Sequence, residues 1–259
     1  MNRYSHVIFS SYGNDSVALI YWASSHRGIA HHMDPREVAV VFSDTGWSAE
    51  WWMGRVAKAE KWAQSLGFST WRTVSEGMEG AVRRKKGWPC QQFQWCTSEL
   101  KINPAKAWLR ERDPGGDAIC MAGIRRAESR NRAQWPEWVE NSDKHEGRTA
   151  WFPLVRHTDE MRDALLARTP FEPLPHRSME CAPCVNANRA DLRLLRAERI
   201  AEIERIEADV KYPMFRAARH GGEEGIRGVI EWAKSPRGKH VKGQIALFEV
   251  GCDSGFCGS

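Results

Sequence analysis

An apolar run, a small polar turn and a second apolar run stand near the start of the chain and limit what it can fold into. Val7-Ile8-Phe9 has the composition of a buried strand, and residues 17–23 are apolar on nearly every side, as a buried helix is. Ser11-Tyr12-Gly13-Asn14-Asp15-Ser16 lies between them. This order predicts the strand, turn and helix that begin an α/β unit.

The turn at residues 11–16 is expected at the N-terminus of the helix that follows it. Unpaired backbone N–H groups and the helix dipole favour an anion at such a position, and Gly13 allows the backbone to approach a ligand closely. Asp15 and Ser16 either contact the ligand or cap the helix. The alternative interpretation is an ordinary strand-to-helix turn with an Asp/Ser cap, because short motifs recur by chance.

Two more strands follow the first unit. Residues 37–43 form a β-branched apolar run that ends in Asp44-Thr45-Gly46, residues 49–66 predict a helix, and residues 68–74 predict a third strand. The order predicts a parallel sheet with right-handed crossovers. Ligands of such sheets bind beyond the carboxyl ends of the strands, so we expect the 11–16 turn and Asp44-Thr45-Gly46 on one edge. Asp44 could instead simply cap the next helix.

The middle of the chain adds a helix and a fourth strand. Residues 75–95 predict a loop that carries the basic run Arg83-Arg84-Lys85-Lys86. A helix is expected from residue 96 to about residue 112, and a strand over residues 117–122. Residues 123–132 then contain four arginines just beyond a strand end, a composition that favours an anion clamp.

Composition excludes some classes of protein. The 259 residues are 42% hydrophobic and 27% charged, which is ordinary for a soluble globular protein, and no run of 18 apolar residues predicts a membrane span. The N-terminus enters a predicted strand with no room for a signal peptide, so we expect a cytoplasmic protein. A net charge of +5 suits an anionic ligand or a nucleic acid, although a solvated loop also explains the basic run.

Four segments, taken in order, resemble the PP-loop superfamily. They are the 11–16 turn, Asp44-Thr45-Gly46, residues 96–101 and the Gly-x-Arg-x-x-Glu-Ser-x-x-Arg pattern of residues 123–132. The resemblance covers roughly residues 5–210 and is to the adenosine-phosphosulfate-reductase-like branch. In its motifs the chain is most similar to the PP-loop enzyme of DNA phosphorothioation.

The resemblance implies an α/β fold: a parallel twisted sheet with helices on both faces, similar to the adenine nucleotide α-hydrolases. It implies a PP-loop nucleotide-binding domain over residues 1–168 and a Cys-containing helical region with a tail over residues 169–259, packed on that domain. The common ATP pyrophosphatase form has a second glycine in the turn, where this chain has Tyr12.

The resemblance also implies roles for single residues. It implies catalytic roles for Asp15, Ser16, Lys101 and Arg125. It implies nucleotide binding by Ser11, Tyr12, Gly13, Asn14, Asp15, Ser16, Asp44, Thr45, Gly46, Gly123, Arg125, Glu128, Ser129 and Arg132. The alternatives are that Lys101 is a surface residue and that Arg125 and Arg132 form structural ion pairs with Glu128 and its neighbours.

The cysteines indicate metal or thiol chemistry. Seven cysteines, an odd number, argue against a disulfide framework in an intracellular chain. Cys181-Ala182-Pro183-Cys184 has the spacing of a metal or redox pair. We expect it to open a helix whose dipole favours the thiolate. Cys120 lies in a predicted apolar strand and is expected to be an inert core thiol.

The resemblance implies a [4Fe–4S] cluster with Cys96, Cys181 and Cys184 as three ligands. Thr97 replaces the second cysteine of the reductase pair, so the fourth ligand must lie elsewhere. Cys257 is predicted as that ligand. Cys90 and Cys252 are the other candidates, and a zinc site formed by Cys181, Cys184, Cys252 and Cys257 is the alternative.

The predicted function is ATP-dependent adenylylation with Mg²⁺, followed by sulfur transfer to a nucleic acid or nucleotide. The expected partners are the nucleotide, the nucleic acid and a sulfur donor such as a cysteine desulfurase, and a homodimer is a further possibility. One alternative is a phosphoadenosine or adenosine phosphosulfate reductase. Another is a non-catalytic nucleotide- and DNA-binding component of a modification complex, which Tyr12 would favour if it blocked the phosphate site.

Overall fold

The computed structural model describes residues 4–25, 33–216 and 223–236. Within these ranges one sheet has six strands. They are β1 (His6–Phe9), β2 (Val38–Asp44), β3 (Ser69–Val74), β4 (Ile119–Ala122), β5 (Trp138–Val139) and β6 (Ala150–Trp151). The α-helices are α1 (Asn14–Ser24), α2 (Trp52–Ser65), α3 (Gly77–Lys85), α4 (Trp95–Thr97), α5 (Asn103–Arg112), α6 (Asp159–Leu166), α7 (Arg189–Arg193), α8 (Ala197–Val210) and α9 (Gly225–Lys234). A π-helical turn, Ser98–Ile102, joins α4 to α5.

The strand order of the sheet is β3-β2-β1-β4-β6-β5. Strand β1 pairs in parallel with both β2 and β4, and only β5 runs antiparallel to its neighbour. The chain moves outward from β1 through β2 to β3 and then crosses to β4 on the other side of β1. The order therefore reverses between β1 and β4, which is where open α/β sheets bind their ligands. The predicted parallel sheet is confirmed.

Helices cover both faces of the sheet. Alternate residues of the strands point to opposite faces, so Ile8 packs with α1 and α2 in one core while Val7 packs against α5 in the other. Both residues are completely buried. Cys120 on β4 is also fully buried, and burial raises the pKa of its thiol to about 12, as expected for an inert core thiol.

Helices α7, α8 and α9 share a third core with α3. Ile203 and Ile206 of α8 and Ile226 of α9 pack with Trp47 and Val82. This core joins the region after residue 180 to the loop that follows β2. None of the helices in the described ranges is both long and apolar enough to cross a membrane.

The loop predicted over residues 75–95 is wrong in its first part, where the structure has α3. Met78, Ala81 and Val82 give this short helix an apolar face at helical spacing, which the three glycines and the basic run of residues 75–95 obscured. The helix buries that face in the third core.

The basic run at the end of α3 is matched by acidic side chains. Arg83 pairs with Glu79 and Asp209. Arg84 and Lys85 both pair with Glu99, and Arg84 also pairs with Glu76. Three of the four positive charges of the run therefore have carboxylate partners, and Lys86 has none among the described residues.

Candidate active site at the carboxyl edge of the sheet

The 11–16 turn follows β1 at the point where the strand order reverses, and all of its residues are buried. Ser11 Oγ accepts a hydrogen bond from the Gly13 backbone N–H at 3.3 Å, and Ser16 Oγ donates to the Gly13 carbonyl at 3.3 Å. The two serine hydroxyl oxygens lie 3.5 Å apart. Helix α1 begins at Asn14, so the N–H groups of its first turn, which have no partner within a helix, lie in this turn.

Tyr12 does not block the turn. Its backbone has φ +57°, a left-handed conformation that glycine adopts more readily, and its side chain is completely buried. The ring packs in the core with its centroid 5.9 Å from that of Phe42, and burial raises the pKa of the phenol. Tyr12 therefore does not provide the blocked phosphate site that would have favoured a non-catalytic protein.

Asp15 and Arg125 form a buried ion pair between the 11–16 turn and the segment after β4. Arg125 also contacts Asp159 at 2.8 Å and the carbonyl of His157 at 3.3 Å. The Asp15 carboxylate is thus held by a guanidinium group. The structure brings together these two predicted catalytic residues and shows a structural contact for both.

The segment after β4 lies directly against the first turn of α1. A Cβ atom at Gly123 would come within 2.7 Å of the Asp15 carbonyl oxygen, so only glycine fits there. Arg132 forms a buried ion pair with Glu128, as the structural alternative for this segment expected. Ser129 has a buried hydroxyl without a hydrogen-bond partner among the described residues.

Asn14 connects the turn to the loop before Cys181. Its side-chain amide donates to the Leu174 carbonyl at 3.0 Å, and its side-chain oxygen accepts from the Leu174 N–H at 2.9 Å. Both functional ends of this side chain are occupied by backbone. Asn14 therefore clamps the loop onto α1.

Asp44, Thr45 and Gly46 form a tight turn at the end of β2. The Asp44 side chain accepts from the Gly46 N–H at 2.9 Å, and Gly46 has φ +60°. Helix α2 begins only at Trp52, so Asp44 stabilises its own turn and does not cap that helix. Thr45 Oγ1 donates to the Glu180 carbonyl at 2.9 Å and lies 3.7 Å from Cys181 Sγ.

Lys101 forms a buried ion pair with Glu180, with 2.5 Å between Nζ and Oε1. The alternative that Lys101 is a surface residue is therefore wrong. Glu180 was not among the predicted site residues, although a carboxylate directly before a cysteine pair in the sequence Met179-Glu180-Cys181 was a usable signal. Its backbone holds Thr45 and its side chain holds Lys101, so it joins the ends of two predicted site segments.

The 181–184 loop does not open a helix, contrary to expectation. Pro183 follows a cis peptide bond within this loop, and α7 begins only at Arg189, where Asn188 caps it. The cysteine pair therefore does not lie at the N-terminus of α7. Burial raises the pKa of the Cys181 thiol, Lys101 lowers it, and Glu180, Cys184 and Cys96 raise it further.

Cys96, Cys181 and Cys184 pack against the same third core. The backbone N–H of Asn186 donates to Cys184 Sγ at 3.4 Å. Within residues 4–25, 33–216 and 223–236, no three His, Cys, Asp or Glu side chains are grouped as a site for a metal ion.

The other predicted ligands do not complete the site in the structure. Cys90 is exposed. Cys252 and Cys257 lie outside the described residues. The cluster and zinc ligand sets stay predictions.

Comparison with known proteins gives one matching family model and a similar phage protein. Residues 5–178 match the sequence model of the phosphoadenosine phosphosulfate reductase domain. The chain is 27% identical over 183 residues to an uncharacterized 37.8 kDa protein in the gpa 5' region of Escherichia phage 186. That alignment covers 60% of this chain and 55% of the phage protein, so the chain spans about half the length of this relative.

A solved structure is also similar. It is the crystal structure of phosphoadenylyl-sulfate (PAPS) reductase from Candida auris in a phosphate complex, with 15% identity and a TM-score of 0.42. The similarity covers 64% of this chain and 72% of the reductase chain.

We expect Glu180→Gln to destabilise the fold by about 3 kcal/mol, because it removes the carboxylate that pairs with the buried Lys101 ammonium. The matched control is Glu50→Gln, which removes one charge from the exposed pair of Glu50 and Arg196 and should cost less than about 1 kcal/mol. Urea unfolding of both variants measures the difference. Equal losses for the two would contradict this assignment.

Proposed function

The chain belongs to the phosphoadenosine phosphosulfate reductase domain family, in the PP-loop superfamily, and from this membership we propose a specific reaction. The protein is a nucleotide-utilising enzyme of this family. In our proposal it binds ATP and adenylylates a nucleic acid or nucleotide for sulfur transfer.

One observation carries the proposal: the 11–16 turn and the segment after β4 meet where the strand order reverses. The Asp15–Arg125 ion pair and the close approach of Gly123 to the Asp15 carbonyl hold the two together. The N-terminus of α1 points its first N–H groups into this turn, which suits a phosphate group. The two serine hydroxyl groups lie in the same turn, and each could rotate to donate to a phosphate, Ser16 in place of its hydrogen bond to the Gly13 carbonyl.

The proposed reaction has two steps, adenylylation of the acceptor and then sulfur transfer. An oxygen atom of the acceptor attacks the α-phosphate of ATP, the bond to the β-phosphate oxygen breaks, and pyrophosphate leaves. Hydrosulfide then displaces AMP and leaves its sulfur on the acceptor. Where a cysteine desulfurase supplies the sulfur as a persulfide, an external thiol must supply two electrons.

The turn would hold the leaving pyrophosphate, which is where charge develops in the first step. Mg²⁺ would enter with the triphosphate, because this ion is usually held by few carboxylates together with substrate phosphates. The Asp15 carboxylate already contacts Arg125, so its role in this scheme is to position that guanidinium group.

The cysteines near Lys101 fit an iron–sulfur group in their chemistry. Cys96, Cys181 and Cys184 supply three thiols that pack against one core, Lys101 supplies a positive charge near Cys181, and the Asn186 N–H donates to Cys184 Sγ. Hydrogen bonds to sulfur and nearby charge are what tune such clusters. When bound, the cluster would carry or activate the sulfur atom for transfer, with Cys257 as the proposed fourth ligand.

A phosphosulfate reductase is the second candidate, and the matched family favours it. In that reaction the same turn would hold adenylylated sulfate, and a cysteine thiolate would attack its sulfur. Among the described residues the thiol of Cys181 is poorly prepared for attack, because burial raises its pKa. The retained Asp15-Ser16 in the turn resembles the ATP-using members more closely.

We expect pyrophosphate release from ATP when Mg²⁺, a duplex DNA oligonucleotide and sulfide are supplied. Ser16→Ala should lower the rate by about tenfold or more, because it removes a hydroxyl group that can turn from the Gly13 carbonyl to donate to the bound phosphate. Ser24→Ala, at the far end of the same helix, is the control and should leave the rate unchanged. Sulfite production from adenylylated sulfate without pyrophosphate release would favour the reductase instead, and neither activity would contradict both.

We expect protein purified without oxygen to contain iron and acid-labile sulfide in equal amounts and to absorb visible light. Cys181→Ser should lose both, whereas Cys120→Ser, in the core of the sheet, should keep them. Zinc without sulfide would support the zinc site instead. Protein free of any metal would contradict the cluster proposal.

A further inference from the structure

Arg55 of α2 contacts the backbone of the 11–16 turn. Its Nε donates a hydrogen bond of 2.8 Å to the Tyr12 carbonyl. This contact joins residues that are 43 positions apart in the sequence. None of the sequence patterns pointed to Arg55, since one arginine on a helix usually faces solvent.

The carbonyl that Arg55 holds belongs to the strained residue of the turn. Tyr12 has φ +57°, a conformation that is unfavourable for a residue with a side chain. Two contacts offset this strain. The ring is buried in the core beside Phe42, and the carbonyl accepts a charged hydrogen bond from Arg55.

The charge of Arg55 is not matched by a carboxylate among the described residues. Its guanidinium group lies over Phe171, 5.0 Å from the ring centroid, and 5.7 Å from that of Trp52. Its Nη2 atom is enclosed without a hydrogen-bond partner in the described part of the chain, and burial lowers the pKa of the group. Arg125, by contrast, is paired with Asp15.

We propose that Arg55 is a positioning residue of the anion site: it holds the Tyr12 carbonyl so that the turn keeps its phosphate-binding shape, and it adds a positive charge behind that turn. The inference rests on the proposed nucleotide-binding function. The common form of the turn has a glycine at the position of Tyr12, and that glycine adopts the left-handed conformation without strain. In this chain the contact from Arg55 stabilises the same conformation at Tyr12. In this proposal the bound anion supplies the counter-charge that the described residues do not give Arg55.

The test compares Arg55→Met with Lys58→Met. Lys58 lies on the same helix, also sits 5.0 Å from the Phe171 ring centroid, and donates to the Pro170 carbonyl instead of to the turn. Both variants lose one positive charge, but only the first loses the contact with Tyr12. Arg55→Lys keeps the positive charge but loses the planar set of N–H donors. It therefore separates the effect of the charge from the effect of the hydrogen bond to Tyr12.

Titration calorimetry with ATP and with inorganic pyrophosphate measures binding. We expect Arg55→Met to weaken both affinities by about tenfold or more, and Lys58→Met by less than about twofold. We expect Arg55→Lys to fall between them. Equal affinities for wild type and Arg55→Met would overturn the inference and leave the proposed function standing.

Amide hydrogen exchange of the ligand-free proteins measures positioning without any nucleotide. We expect the 11–16 turn to exchange faster in Arg55→Met than in Lys58→Met, with the sheet strands protected in both. Unchanged exchange in the turn would overturn the inference. If the wild type binds neither ATP nor pyrophosphate, the proposed function fails, while the exchange result still decides whether Arg55 holds the turn.

Discussion

The buried ion pair of Asp15 and Arg125 is the contact on which the site depends. It joins two segments that are 110 residues apart in sequence, one after β1 and one after β4. Asp15 also lies 3.6 Å from Arg162, and Arg125 also pairs with Asp159, so the pair is the centre of a small network of charges. The pair, together with the close approach of Gly123 to the Asp15 carbonyl, fixes the distance between the 11–16 turn and the segment after β4. Specific binding requires such a fixed geometry.

A second contact network, centred on Glu180, positions the segments that carry the thiols. Glu180 accepts from Thr45 through its backbone and pairs with Lys101 through its side chain, directly beside Cys181. The end of β2, the π-helical turn Ser98–Ile102 and the 181–184 loop therefore meet at one residue. In the proposed reaction this arrangement would bring the sulfur chemistry close to the activated acceptor.

The sheet was predictable because its signals are local. A β-branched run such as residues 37–43 identifies a buried strand, and alternation of strands and helices dictates parallel pairing. Helix α3 was missed because its apolar face rests on Met78, Ala81 and Val82 within a glycine-containing stretch. The pairing of Asp15 with Arg125 and the strain at Tyr12 were not predictable, since both depend on tertiary contacts that sequence spacing does not encode.

A crystal structure of the protein with Mg²⁺ and a non-hydrolysable ATP analogue would test the proposed phosphate site. We expect phosphate density at the N-terminus of α1, within reach of the hydroxyl groups of Ser11 and Ser16 and of the backbone N–H groups of the turn. Density for the phosphates elsewhere, such as the groove lined by Trp51, Leu195 and Arg199, with no phosphate in the turn, would contradict the proposed site.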